Sequence, residues 1–201
     1  MPGQDGKAGA NCPIGAVRLA AYSDPGTALV LISLMALMIR LALYQPDIPQ
    51  NAGTLIRMAA CLGVPVEIVE PAAFDVSDRH FRRAGMDYLE RAAVTRHDSF
   101  VRFEDWRRAA GHRMVLAETD GTIAHTDFAF RPGDIVMVGR ESAGVSREVY
   151  DAADAVVAVP IRPGLRSLNV SVAAALVIGE ALRQTGGYPA AQSISQATSM
   201  E

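Results

Sequence analysis

Short runs of aliphatic and β-branched residues recur along this chain. Most end in a turn, and several lead into longer stretches with helical spacing. Brief apolar runs bounded by turns read as strands buried on both faces, whereas longer stretches of 3.6 period read as helices. Residues 39–44 are thus predicted as a strand, closed by the turn from Gln45 to Gln50. Asn51, a favoured cap, opens a helix to Leu62, and Gly63 stops it. Further strands are predicted at 64–69, 113–118, 134–138 and 156–159, with short extended pieces at 92–95 and at Phe100. Helices are predicted at 77–84, 103–110, 146–152 and 168–184, and the chain from Thr185 reads as a mobile tail. Strands alternating with helices predict an α/β fold on a mainly parallel sheet flanked by helices.

Two of these strands leave through unusual loops. One runs into Gly139-Arg-Glu-Ser-Ala-Gly144, the other into the rigid Pro160 to Gly164 segment and then Ser167 and Asn169 at the start of the last helix. Two exits so close in sequence can form one concave site at the carboxyl ends of neighbouring strands, where open α/β sheets bind ligands. The first loop has phosphate-loop glycines but lacks the Lys-Ser/Thr pair, and Glu141 at its centre would repel a polyphosphate. A carboxylate there suits a ribose hydroxyl or a cation; the plainer reading is a tight turn with Ser142 or Ser146 capping the next helix. Ser167 and Asn169 read either as caps or as part of a site presenting backbone N–H groups.

The helix after Asn51 carries one charge, Arg57, the only charged residue between Asp47 and Glu67. Its neighbours Leu55, Ile56, Met58 and Ala59 suggest a helix buried on most sides. A buried guanidinium needs a ligand or a partner such as Asp47; the alternative is a side chain that reaches the surface.

Composition narrows the class. The 201 residues suit one domain, half of them are apolar, and the net charge of −3 carries no global signal for nucleic acid. Cys12 and Cys61 are too few for a disulfide framework, and no Cys/His spacing suggests a metal, so a cytoplasmic protein without metal is expected. The apolar run 28–39 is shorter than the roughly 20 residues of a membrane helix, and no small-residue cleavage site follows it. Residues 1–37 are read as a dispensable extension, with a targeting segment as the alternative; 38–188 form the domain and 189–201 the mobile tail.

Asn51-Ala-Gly-Thr-Leu-Ile-Arg57, Gly139-Arg-Glu-Ser-Ala-Gly144 and Arg166-Ser-Leu-Asn-Val-Ser171 resemble the three motifs of the SPOUT superfamily of RNA 2′-O-methyltransferases. Leu43-Tyr-Gln-Pro-Asp-Ile-Pro-Gln-Asn-Ala-Gly53 and Arg82-Arg-Ala-Gly-Met-Asp-Tyr88 resemble the branch that methylates the wobble ribose, nucleotide 34, of tRNA anticodons. The resemblance spans about 38–188. It implies a C-terminal deep trefoil knot, a homodimer, and S-adenosyl-L-methionine as cofactor. The cofactor positions it implies are Ala117, Thr119, Gly139, Glu141, Val159, Ile161, Ser167 and Leu168. Arg140 stands where the branch often has proline.

The same resemblance makes Arg57 catalytic, with Asn51, Ser167 and Asn169 positioning it and the ribose. Family accounts cast this arginine as a base, but a group with a pKa above about 12 is a poor one. Orienting the hydroxyl or its phosphate and stabilising the developing oxyanion suits it better. Arg82, Arg83 and Tyr88 are the implied RNA contacts, the tyrosine stacking on a base. They fall within 79–113, where nine arginines face five acids, either a phosphate-binding face or a merely solvated one. A non-catalytic RNA-binding module of the same fold, or an enzyme for another tRNA or rRNA site, are the alternative readings. The lack of an appended RNA-binding domain favours a small exposed target such as the anticodon loop.

Overall fold

Strands and helices alternate in a computed structural model that describes residues 37–74 and 92–190. The order is β1 (Arg40–Tyr44), α1 (Pro49–Leu62), β2 (Val66–Val69), β3 (Val94–His97), α2 (Phe100–Ala109), β4 (Met114–Ala117), β5 (Ile123–Ala124), β6 (Ile135–Val138), α3 (Arg147–Ala152), β7 (Ala155–Ala158) and α4 (Val170–Thr185). The strands make one seven-stranded sheet, β3-β2-β1-β6-β4-β7-β5, with every pairing parallel. The predicted α/β fold on a parallel sheet is what forms.

Successive strand side chains point to opposite faces, and both faces are covered. Leu41, Leu43, Val66, Ile68, Val136 and Val138 pack against Leu55 and Ile56 of α1 and Val177 and Ile178 of α4. Ala42, Tyr44, Val69, Leu116, Ile135 and Met137 pack against Phe100 and Phe103 of α2 and Val149 of α3. All four residues of β6 are buried, which is why that strand shows no polar alternation. Among the described residues no helix is long and apolar enough to cross a membrane.

Several boundaries differ from expectation. Helix α1 begins at Pro49, with Ile48 as its uncapped flanking residue, so Asn51 lies in the first turn instead of at the cap. Proline needs no hydrogen-bond partner at that position, so the start requires no polar cap. Phe100 is helical: Ser99 caps α2 by accepting from the Arg102 N–H at 3.3 Å. Strand β5, two residues long, was not expected, because so short a piece has no period to read. After Thr185 the chain folds back, the Gly187 N–H bonding Leu182 O at 2.9 Å, so the tail does not start at Thr185. The helix expected at 77–84, nearly all of the extension and most of the 189–201 tail lie outside the described residues.

Two polar clusters are built into this core. Glu67, fully buried on β2, accepts from Arg40 Nη1 at 2.6 Å and sits 2.8 Å from His97 Nε2. The His97 ring lies 5.3 Å from Phe103 and 5.1 Å from Trp106. Arg107, buried on α2, donates to Asp154 Oδ2 at 2.8 Å and to the Ala152 and His112 carbonyls at 2.8 and 3.1 Å, and pairs with Glu104. It ties α2 to the segments before β4 and β7.

Candidate active site

A cavity of about 510 Å³ opens where β4, β6 and β7 end, bounded by the loops after β6 and β7 and by the first turn of α1. That volume lies within the range of small-molecule sites. Sheet register brings Val138, Ala117 and Val157 side by side at the ends of the three strands, and Ala117 and Val157 face the cavity as an apolar floor. Polar groups stand around it on the loops.

The Gly139–Gly144 loop is held by two antiparallel bonds between Arg140 and Gly144, at 3.0 and 2.8 Å. Both glycines are required by geometry. Gly144 has φ +63°, and a Cβ on Gly139 would come within 2.7 Å of the Gly144 carbonyl carbon. The loop is fastened to the turn before α1: Glu141 N–H donates to Asp47 Oδ1 at 3.1 Å, Asp47 N–H donates to Glu141 Oε2 at 3.3 Å, and the Ser142 hydroxyl also donates to Asp47. The hydrogen bond from the Glu141 side chain, with those from Ser142 and the loop N–H groups, holds Asp47 well below the usual carboxylate range. Burial pushes Glu141 up, and Asp47 beside it adds to the rise. Glu141 therefore lines the cavity while also closing the loop.

Asn169 caps α4, accepting from the Ser171 N–H at 2.8 Å, and also donates to Asn51 Oδ1 at 3.0 Å. The Ser171 hydroxyl donates to the Asn51 carbonyl at 3.2 Å. Capping and site-building thus fall on the same asparagine, and they bind the start of α4 to the first turn of α1. Ser167 is not the cap.

Ala117, Thr119, Gly139, Glu141, Val159, Ile161, Ser167 and Leu168 all line the cavity, as do Asn51 and Asn169. Arg57 does not: it is exposed, so the burial inferred from its neighbours is wrong and the alternative of a side chain at the surface is what forms. Helix α1 buries Ala52, Leu55, Ile56 and Ala59, whereas Thr54, Arg57 and Cys61 form its exposed face. Small residues and cysteine had made that face look apolar. Arg82, Arg83 and Tyr88 lie outside the described residues. Within the arginine-rich stretch, Arg96 pairs with Glu70, Arg107 and Arg108 with Glu104, and Arg113 with Asp134, so these serve the fold.

Sequence reasoning missed Glu118 and gave no role to Arg166, the first residue of the third motif; both line the cavity. Glu118 Oε1 is buried without a hydrogen-bond partner, and burial, then Asp120, pushes its pKa up. Arg166 sits in an exposed loop with Arg162, where paired cations flanking Pro163 and Gly164 were the available signal. An apolar floor, a glycine cradle and an unsatisfied carboxylate oxygen suit a nucleoside cofactor bearing hydrogen-bond donors, and S-adenosylmethionine is of that kind.

Comparison with known proteins agrees with this chemistry. A tRNA (cytidine(34)-2'-O)-methyltransferase of Ancylobacter novellus is 62% identical over 148 residues, covering 74% of this chain and 94% of that protein. A solved structure concerned with the 2-OH methylation of C/U34 on tRNA superposes with a TM-score of 0.69 at 37% identity, covering 73% of this chain and 95% of that one. The SpoU methyltransferase AviRb of Streptomyces viridochromogenes, in complex with the cofactor AdoMet, superposes with a TM-score of 0.68 at 30% identity, covering 74% of this chain and 61% of that one. The SpoU rRNA Methylase family matches residues 38–179, and the chain belongs to that family.

Proposed function

We propose that this protein transfers a methyl group from S-adenosylmethionine to the 2′-hydroxyl of the wobble nucleotide, cytidine or uridine 34, in tRNA anticodon loops. The observation that carries the reading is the gathering of the family's three motifs around one cavity, the first and third joined by the Asn51–Asn169 hydrogen bond and the second fastened through Asp47. The 62% identity to a cytidine-34 enzyme favours the tRNA substrate over a ribosomal one, and such a substrate implies a cytoplasmic protein.

The bound cofactor supplies a methyl carbon already activated by its sulfonium. The protein must hold the ribose oxygen in line with that carbon and accommodate the charge that develops as the hydroxyl loses its proton. Asn169 and Asn51 fix α1 against the cofactor loops. Arg57 then orients the hydroxyl or its neighbouring phosphate and stabilises the oxyanion from the exposed side of α1. Arg82, Arg83 and Tyr88 contact the RNA in this reading.

Family membership also brings a homodimer and the trefoil knot into the proposal. Leu165, Leu168, Val172 and Leu176 are exposed, from 38% to 67%, on the loop after β7 and the outer side of α4. Apolar residues so grouped suit a second copy of the chain lying beside Ser167 and Leu168. For the knot, the turn after β4 passes so close to β7 that a Cβ on Gly121 would lie 2.5 Å from the Val157 carbonyl carbon. Light scattering at micromolar concentration should give twice the chain mass; a monomer there would remove the dimer. A crystal structure with cofactor would trace the threading, and an unthreaded path would remove the knot.

The direct test is methyl transfer from labelled cofactor to bulk tRNA lacking the wobble modification, with the product nucleoside mapped by mass spectrometry. A 2′-O-methylated pyrimidine at position 34 is expected. Cofactor binding without transfer to tRNA would reject the substrate. Residues 1–37 are proposed to be dispensable: a protein starting at Met38 should methylate at the full-length rate, and an insoluble or inactive product would overturn this.

A further inference from the structure

Glu118 carries the one carboxylate oxygen, among the described residues, that is buried with no hydrogen-bond partner; its carboxylate otherwise meets the Thr119 N–H. It leaves β4 directly after Ala117, its N–H bonded to Val157 O at 3.0 Å, and its side chain turns under the loop after β6. There Oε1 lies 2.9 Å from where a Cβ on Gly139 would stand and 3.1 Å from that of Gly144. The two missing side chains make the room this carboxylate occupies. Its oxygen is nonetheless buried with no hydrogen-bond partner, a costly state unless a ligand supplies the donor. Glu141, the acid that the loop sequence brings to notice, is already engaged with Asp47.

We propose that Glu118 is a cofactor-binding residue, accepting a hydrogen bond from the nucleoside end of S-adenosylmethionine, a ribose hydroxyl or the adenine amine. The inference rests on the cofactor reading above. The nucleoside end is chosen because Glu118 adjoins the apolar floor of Ala117 and Val157, whereas the hydrogen-bonded polar pair, Asn51 and Asn169, stands at the α1 and α4 side. A contact to the nucleoside does not depend on the sulfonium, so it is made equally to the methylated cofactor and to its demethylated product.

Calorimetric titration of wild type, Glu118→Ala and Glu118→Gln with S-adenosylmethionine and S-adenosylhomocysteine tests this, without tRNA and without turnover. Glu118→Ala should weaken both ligands by the same factor, roughly 10- to 100-fold, the worth of a hydrogen bond to a charged group. Glu118→Gln, which keeps an acceptor oxygen, should lose less. The thermal midpoint without ligand should hold in Glu118→Gln, which keeps an acceptor oxygen for the Thr119 N–H, since Oε1 bonds nothing in the protein. A loss confined to S-adenosylmethionine would mean a contact with the sulfonium and overturn the assignment to the nucleoside. Unchanged affinity for both ligands would overturn the inference alone. Wild-type protein that binds neither would overturn the cofactor reading and this inference with it.

Discussion

Arg57→Ala is expected to lower the single-turnover rate of tRNA methylation by roughly 10²- to 10³-fold, the usual cost of removing one group that stabilises a developing oxyanion. Cofactor affinity should stay at the wild-type value, because Arg57 is not among the residues lining the cavity. The fold should also hold, because the side chain is exposed on α1. Arg57→Lys separates two accounts of the residue. Lysine, with an ordinary pKa near 10.4, is the better base of the two, so a proton-removing role predicts substantial activity in that variant. A role in orienting the hydroxyl or phosphate through the planar guanidinium predicts that lysine fails almost as badly as alanine. The second outcome is expected. Loss of cofactor binding in Arg57→Ala would instead place this side chain against the cofactor and reject its assignment to the RNA side.

The parallel sheet was legible because parallel strands are buried on both faces and so appear as uninterrupted apolar runs. Residues 134–138 were recognisable as β6 for that reason, and so were those of β4 and β7. Helix ends were harder. Asn51 has the chemistry of a cap, but Pro49 opens α1 two residues earlier, and the asparagine is left to meet Asn169, which is 118 positions away in sequence. No local pattern contains that pairing. The burial of Arg57 was misjudged because glycine, cysteine and alanine count as apolar whether or not a surface covers them. Arg96, Arg107 and Arg113 looked available for phosphate because their partners Glu70, Asp154 and Asp134 lie elsewhere in the chain. Glu118 went unnoticed for a related reason: its significance depends on glycines from another loop. Motif resemblance supplied what pattern could not, since it carries the outcome of long-range packing without deriving it.

Glu67→Ala is expected to give the largest loss of stability of any variant considered. Glu67 is fully buried in β2 between Arg40 and His97. Removing it strips the 2.6 Å partner from Arg40, whose side chain is only 13% exposed and whose Nε already lacks a bond. Breaking a buried ion pair from one side costs about 3–5 kcal/mol, because the remaining charge stays desolvated. At about 2–4 °C per kcal/mol for a chain of this size, the melting midpoint should fall by roughly 6–20 °C, which scanning calorimetry would measure. The burial itself is not what stabilises. Replacing both members, as Arg40→Met with Glu67→Leu, removes the stranded charge and fills the space with apolar atoms, so the double variant should melt above Glu67→Ala. Trp106, 5.4 Å from the Arg40 guanidinium, offers an aromatic face to the new methionine. If the double variant melts no higher than Glu67→Ala, the loss comes from packing around β2 and β3 and not from an unpaired Arg40.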